Sequence, residues 1–447
     1  SLAKRRSVED LSLQLGTQLS SFRKFITPSS STPPHLRSYE ISALDQLIPP
    51  VYGGFTCFYP ADGNIQGAKH SERRKKLEES LSKILTLYYP AAGRYVEEKL
   101  LVDCNDKGVE YLEADVSGRL SQILNGELQP EELNQLLPYP VASPTTPLVA
   151  VQISTFECGG MAVGLRFSHK IFDIAALTSF STTGIDEVPR PSFALPSLFP
   201  TRETAQILNP TPVKNGARLV TRTFVFSRSA VTSLQVIART GDDDSEGGKG
   251  QLSRVQVVTA IIWKALIKVA KLKHGILRPS ALIHGVEMRK RSALPTPPNC
   301  FGNMLRLAMA RFEPDESKTG LRDLVITVRN AIRDAVVDCR DATSCDELFA
   351  RAAESFRGWN EEAGKGEIDL YTFSSWCGFP VYEVDFGWGK PVWVSSPHKP
   401  VPVVNLLDTK DGGVAVWMTA EEMDMILFQR DPEIVDLTTT SQLKNYV

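Results

Sequence analysis

His169 and Asp173, in the stretch Gly164-Leu-Arg-Phe-Ser-His-Lys-Ile-Phe-Asp173, place an imidazole and a carboxylate four positions apart just past an apolar strand. An ordinary histidine titrates near pH ~6.5, so a ring nitrogen here is largely neutral at cytosolic pH and can take a proton from a bound hydroxyl. A base in that role is worth roughly 10²- to 10⁴-fold in rate. His169 alone among the six histidines has a carboxylate four positions on. The pattern is short, however, and its bland alternative is a core-edge histidine donating to a backbone carbonyl. Asp173 also has two readings: it orients the ring, or it pairs with an arginine and holds the turn.

A second cluster lies far away in the chain. Phe373-Ser-Ser-Trp-Cys-Gly-Phe-Pro380 runs into Val381-Tyr-Glu-Val-Asp-Phe-Gly-Trp-Gly-Lys-Pro391. Core packing is the ordinary fate of Trp376, Trp388 and Trp393. Trp388 between two glycines suggests a turn with close backbone packing. Asp385-Phe-Gly387 matches the metal-binding triplet of protein kinases, yet neither an H-R-D-type loop nor a glycine-rich loop with a strand lysine accompanies it.

The elements that must position these groups are readable around them. Leu148 to Phe156, then Glu-Cys-Gly-Gly160, then Met161 to Phe167 with alternating apolar residues, predicts a β-hairpin. His169 follows its second strand, and Ile174 to Phe180 can start a helix, so the His/Asp pair sits on a strand-to-helix turn. Leu77, Leu81, Ile84, Leu85 and Tyr88 recur at helical spacing before Pro90. Six prolines between Asp186 and Val213 read as a crossover between domains. Beyond it come a strand at Leu219 to Phe226, an acidic glycine-rich loop at 241–250, and a helix from Ser253, its N-cap, to about Lys271. Helices near 321–337 and 346–359 precede strand-like segments through Val416. The irregular alternation predicts an α/β fold with mixed sheets.

At 447 residues the chain is long enough for two domains. Fifty Lys and Arg against 52 Asp and Glu, a net charge of -2, argue against nucleic-acid binding by a broad basic surface. Any anionic ligand must therefore meet a local basic patch. Seven cysteines stand singly without a C-x-x-C pair, which suggests neither a disulfide framework nor a zinc site. The basic start lacks an apolar signal region and no run is long enough to span a membrane, so a cytoplasmic protein is expected.

His169-Lys-Ile-Phe-Asp173 together with Asp385-Phe-Gly-Trp-Gly389, in that order, resembles the paired signature of the BAHD family of plant acyl-CoA-dependent acyltransferases. Ser42-Ala-Leu-Asp-Gln46, Tyr88-Tyr-Pro-Ala-Ala-Gly-Arg94, Val102 to Val109, Arg289-Lys-Arg291, Phe301-Gly-Asn303 and Ser374-Ser-Trp-Cys377 are similar to further segments of that family. The resemblance implies a two-domain fold like that of chloramphenicol acetyltransferase, with a solvent channel between the domains. It implies an N-terminal domain at 1–188 carrying HxxxD, a crossover at 189–215 and a C-terminal domain at 216–447 carrying DFGWG.

The same resemblance implies acyl transfer through a ternary complex, with His169 as general base and neither a metal nor a resident cofactor. It casts Ser374 and Trp376 as donors at the reaction centre. Asp173, Asp385 and Arg289 become site-shaping, with Asp385 paired to Arg289 or Arg291. Ser253 and Arg254 would meet the phosphates of acyl-CoA, with help from Lys249. The Thr27-to-Pro33 entry and the Cys104-to-Val109 block most resemble acetyltransferases of alkaloids and some terpenoids. Acetyl-CoA is then the expected donor, a plant metabolite hydroxyl the acceptor, and a monomer without nucleic acid or membrane the expected state. A hydroxycinnamoyl or benzoyl donor, or a family member that binds ligand without catalysis, is the alternative.

Three departures stand out. The helix after Asp173 runs early into Gly184 and Pro189, Gly378 replaces an arginine frequent in relatives, and Phe172 is bulkier than the usual alanine.

Overall fold

The computed structural model describes residues 17–61, 67–125, 129–138, 146–182, 190–203, 205, 207–213, 216–239 and 251–439. The chain forms two compact units. Unit 1 takes the described residues up to Ala205 together with Pro297–Asn303 and Phe379–Pro397, and unit 2 takes the rest. Two segments of the second half thus return to the first unit, which a single continuous C-terminal domain does not anticipate. The Gly184-to-Pro189 stretch, the 241–250 loop and Lys249 lie outside the described residues.

The strands run β1 (Thr17–Ile26), β2 (Ser38–Glu40), β3 (Tyr52–Tyr59), β4 (Arg94–Val96), β5 (Leu101–Asp103), β6 (Val109–Val116), β7 (Val149–Phe156) and β8 (Met161–Ser168). They continue with β9 (Leu219–Phe226), β10 (Ser280–Glu287), β11 (Leu305–Phe312), β12 (Asp369–Ser375), β13 (Trp393–Ser395), β14 (Val403–Asp408), β15 (Val414–Glu421) and β16 (Thr438–Thr439).

Unit 1 is built on a six-stranded sheet in the order β1-β6-β7-β8-β3-β13, with β2, β5 and β4 in a small sheet beside it. The predicted hairpin is β7 and β8, antiparallel, with Val149 opposite Phe167 and Thr155 opposite Met161. Met161, Val163, Leu165 and Phe167 are buried, and Ala162 and Gly164 on the other face lie in tight surroundings. A methyl group at Gly164 would stand 2.0 Å from the Leu136 carbonyl oxygen, so glycine there lets another chain segment cross the sheet. Phe172 is fully buried and meets Phe167, Phe180 and Phe301 edge-on, with centroids 6.3, 5.6 and 5.0 Å away. Such pairs add about 0.5–1.5 kcal/mol beyond area burial. The large ring that departs from the family pattern is therefore a packing anchor.

Unit 2 carries a seven-stranded mixed sheet in the order β11-β10-β12-β14-β15-β9-β16. β12 is parallel to both β10 and β14, and β14, β15 and β9 pair antiparallel. The helix Arg254–His274 buries Val257, Val258, Ile261, Ile262 and Trp263 in the core of this unit. Ser253 starts it as predicted: its Oγ accepts the Gln256 N–H at 3.1 Å, and Gln256 Oε1 accepts the Ser253 N–H at 2.9 Å. Gly275, at φ 74°, stops it.

Candidate functional site

His169 is the first residue beyond β8, and the turn that carries it is fixed on every side. Its N–H donates to the Val51 carbonyl at 2.8 Å, and the Ser168 N–H donates to Leu148 at 2.7 Å. The next residue, Lys170, turns inward and donates Nζ to the Ile48 carbonyl at 2.8 Å. Burial lowers the pKa of that ammonium while nearby Asp45 and Glu97 raise it. Asp173 closes the turn as the N-cap of the helix Ile174–Thr182: Oδ1 accepts the Ala176 N–H at 2.9 Å, and its carbonyl accepts the Leu177 N–H at 2.9 Å. Caps of this kind contribute about 0.5–2 kcal/mol. A turn-holding role follows directly from these bonds.

The ring of His169 is oriented by a residue from far along the chain. Nδ1 lies 3.1 Å from Oδ1 of Asn303. The Asn303 amide nitrogen donates to Asp45 Oδ1 at 2.8 Å and to the His169 carbonyl at 2.9 Å. With both Nδ2 hydrogens used, Oδ1 is the acceptor, so the proton sits on His169 Nδ1. That hydrogen-bond network assigns the basic lone pair to Nε2.

Asp45 is fully buried and anchors this arrangement. Besides Asn303 Nδ2, Oδ1 accepts the Asn303 N–H at 2.7 Å; Oδ2 accepts the Ser42 N–H at 2.9 Å and the Ser42 hydroxyl at 2.7 Å. Burial pushes the carboxyl pKa up, and the bonds from Asn303 and Ser42 pull it back down. Gly302 makes the approach possible. At φ 118° it adopts backbone that disfavours side chains, and an added Cβ would stand 3.0 Å from Leu195 and 3.2 Å from Asp45 Oδ2. Sequence reasoning assigned no role to Asp45 or Asn303. Their only signal was membership of the Ser-Ala-Leu-Asp-Gln and Phe-Gly-Asn blocks, since 258 residues separate them.

In unit 2, Ser374 lies on β12 opposite Asn405 of β14, and the Trp376 N–H donates to the Leu406 carbonyl at 2.7 Å. Strand alternation sends Phe373 into the core, so Ser374 points to the opposite face. Trp376 is buried. Burial, with Asp408 adding to it, raises the neighbouring Cys377 thiol to about 12, so it stays protonated and is a poor nucleophile at neutral pH. The Gly378 N–H donates to Asp408 Oδ2 at 2.7 Å. Arg254, the first residue of its helix, pairs Nη2 with Asp408 Oδ1 at 2.9 Å and donates Nη1 to the Gly412 and Gly413 carbonyls. Ser253 beside it is the helix cap. Both residues expected to meet phosphate therefore also have structural work within their own unit.

Asp385 is held within its own loop. Asp385 Oδ1 accepts the N–H groups of Gly387 at 2.8 Å, Trp388 at 3.1 Å and Gly389 at 2.9 Å. Gly387 and Gly389 have φ of 95° and 104°, so the carboxylate closes a loop that only glycines follow easily. Within unit 2, Arg289 places Nη1 3.0 Å from Glu287, and Arg291 donates to the Glu287 carbonyl at 2.8 Å. Backbone donors two to four residues away reach Asp385 Oδ1 at little entropic cost. The loop supports unit 1 through Trp388, edge-on to Tyr59 at 5.9 Å, and through β13, where Trp393 pairs with Phe58 of β3. Among the described residues no cluster of three or more His, Cys, Asp or Glu is arranged to hold a metal ion.

Residues 20–435 match the model of the Transferase family. Acetyl-CoA-benzylalcohol acetyltransferase of Clarkia breweri is 34% identical over 431 residues, covering 92% of this chain and 98% of its own. Vinorine synthase of Rauvolfia serpentina is 34% identical over 430 residues, covering 90% and 94%. A crystal structure of vinorine synthase superposes with a TM-score of 0.78 at 31% identity, covering 96% of this chain and 100% of that one. The mixed-sheet, two-unit α/β architecture is thus that of the chloramphenicol-acetyltransferase-like fold, and acyl-CoA is the co-substrate. The chain belongs to the Transferase family, the BAHD acyl-CoA-dependent acyltransferases.

Proposed function

We propose that this acyltransferase moves an acetyl group from acetyl-CoA to a hydroxyl of a plant specialised metabolite, an alkaloid or a terpenoid, with His169 as general base. The observation that carries the proposal is the Nδ1 bond to Asn303 at 3.1 Å, which assigns the proton-accepting lone pair to Nε2. Nε2 takes the acceptor hydroxyl proton as the oxygen attacks the thioester carbonyl. The carbon–sulfur bond then breaks, and the imidazolium returns the proton to the departing thiolate. Ser374 and Trp376 act as donors to the negative oxygen of the tetrahedral intermediate, a contribution of about 2.7–4 kcal/mol per donor in comparable sites. Ser253 and Arg254 receive the phosphates of the donor. Asp173, Asp385 and Arg289 hold local structure.

Acetyl-CoA as donor is supported by the name of the Clarkia relative, and an alkaloid acceptor by the likeness to vinorine synthase. We infer further that the enzyme works as a cytoplasmic monomer; among the described residues no helix is long and apolar enough to cross a membrane. The test is purified protein with acetyl-CoA and a panel of polycyclic alcohols, following free thiol. Turnover that His169→Ala removes is the expected result. Equal rates for the two proteins on every acceptor would sink the proposal.

A further inference from the structure

One carboxylate in unit 2 holds two places at once. Asp408, the last residue of β14, accepts the Gly378 N–H on Oδ2 at 2.7 Å and faces Arg254 Nη2 with Oδ1 at 2.9 Å. Gly378 belongs to the turn that follows Ser374, Ser375 and Trp376. It has φ 82° and no atom within 4 Å of where a Cβ would stand, so the turn has no side-chain packing at that position. The other bond across the turn, from the Cys377 N–H to Ser375 Oγ, is longer at 3.3 Å. The carboxylate thus holds the far end of the turn to β14, as the Trp376 N–H bond to the Leu406 carbonyl at 2.7 Å holds its start.

At its other end, Arg254 is held by Asp408 and by the Gly412 and Gly413 carbonyls at 3.2 and 3.3 Å. These contacts engage Nη1 and Nη2, while a guanidinium carries five N–H donors in all. The side chains of Arg254 and Asp408 are 38% and 23% exposed, so the pair is only partly screened. A new anion at Arg254 competes directly with the carboxylate for that guanidinium.

We propose that Asp408 couples occupation of Arg254 by the phosphate-bearing handle of the donor to the geometry of the acyl-transfer turn at 374–378. The proposal rests on the roles given above to Arg254, Ser374 and Trp376. As phosphate draws on Arg254, the charge of Asp408 is shared less with the guanidinium and more with the Gly378 N–H. A charge-assisted bond shortens accordingly. The turn is held most tightly when the donor is in place. Binding energy from a part of the substrate that does not react then reaches the reacting centre, raising kcat as well as lowering KM. Linkage makes the binding effect reciprocal.

The test compares acetyl-CoA with S-acetyl-N-acetylcysteamine, a thioester with the same acyl group and no phosphate. For the wild type, kcat with the truncated donor is expected to be lower by about tenfold, as when remote binding energy is removed. Asp408→Asn keeps a carbonyl oxygen for the Gly378 N–H and loses the charge that Arg254 answers to. Its expected ratio of kcat values falls to about twofold, because the route from the handle is cut. Arg254→Gln cuts the same route from the other end and is expected to collapse the ratio likewise; it decides alone if Asp408→Asn does not melt as a folded protein. An unchanged ratio in the folded variants overturns the coupling. The underlying roles fail on different measurements. Wild-type kcat in Ser374→Ala and Trp376→Phe, or a wild-type KM for acetyl-CoA in Arg254→Gln, would remove them whatever the ratio does.

Discussion

His169 and Asn303 stand 134 residues apart in the chain and 3.1 Å apart in space, imidazole Nδ1 against amide Oδ1. The direction of that bond is set one step further out, because Asp45 and the His169 carbonyl consume both hydrogens of the amide nitrogen. An amide is neutral at every accessible pH, so it orients the ring without adding charge next to it. That differs from a histidine backed directly by a carboxylate, where the partner also stabilises the imidazolium. In this protein the carboxylate, Asp45, is one residue removed from the ring.

Asn303→Ala should remove the Nδ1 partner that selects the tautomer of the imidazole. The expected result is a fall in kcat of about 10- to 100-fold, smaller than the roughly 10²- to 10⁴-fold at stake in removing the base itself. KM for acetyl-CoA should change little. Steady-state kinetics with both substrates varied checks this, and an unchanged kcat in a folded variant would show that Asn303 does not set the ring.

The hairpin that delivers His169 was legible because alternation along Met161 to Phe167 is a local signal, and the start of the Arg254–His274 helix was legible because Ser253 and Gln256 form a local capping box. Asp173 was half legible: the strand-to-helix turn was readable, while the two roles weighed for the carboxylate, orienting the ring or pairing with an arginine, did not include its bond to the Ala176 N–H. The Asp45 and Asn303 pair was not legible, since no spacing rule connects residues 258 apart. Asp385 was legible as a structural carboxylate but not in its local partners. The two glycines at 387 and 389 permit a loop whose own N–H groups converge on its Oδ1, a geometry that no spacing rule announces.

Asp385→Ala should remove the common acceptor of three solvent-exposed backbone N–H groups, bonds worth about 0.5–1.5 kcal/mol each because water can replace the lost acceptor. A lowered melting temperature is expected, with the kcat of the folded protein near wild type. Asp385→Asn, which retains one carbonyl oxygen, should recover much of the melting temperature. A variant that melts normally and is inert would instead put Asp385 in the chemistry.

The pH dependence traceable to Asp45 has a definite sign. Burial holds its carboxyl above the ordinary value, so the folded state keeps the proton to higher pH than the unfolded chain does. The contribution of Asp45 to stability is full below the unfolded carboxylate pKa, falls as pH rises through the raised folded one, and is level above it. Asp45→Asn does not titrate, so the stability difference between the two proteins, from urea unfolding at a series of pH values, should narrow over that window as the wild type loses ground. At neutral pH the variant should still be less stable, because an amide NH₂ would face donors from Ser42 or Asn303. A difference that stays flat with pH would contradict the raised pKa.

Gly302→Ala tests whether the site depends on the backbone that brings Asn303 to Asp45. The new methyl would meet Leu195 at 3.0 Å and both Asp45 oxygens at 3.2 and 3.3 Å, on a residue whose φ of 118° already excludes comfortable side-chain geometry. Relief requires moving either the Asp45 carboxylate or the 301–303 segment, and both movements lengthen the bonds that fix the Asn303 amide. Stability should therefore fall by about 1–3 kcal/mol, in the range of a residue forced into an unfavourable backbone region. Activity should fall further than the folded fraction does, because the His169 ring loses its partner as well. Melting curves and kcat measured on the same preparation separate the two effects. Loss of stability with full kcat per folded molecule would show that the ring keeps its orientation when the Asp45 anchor is disturbed.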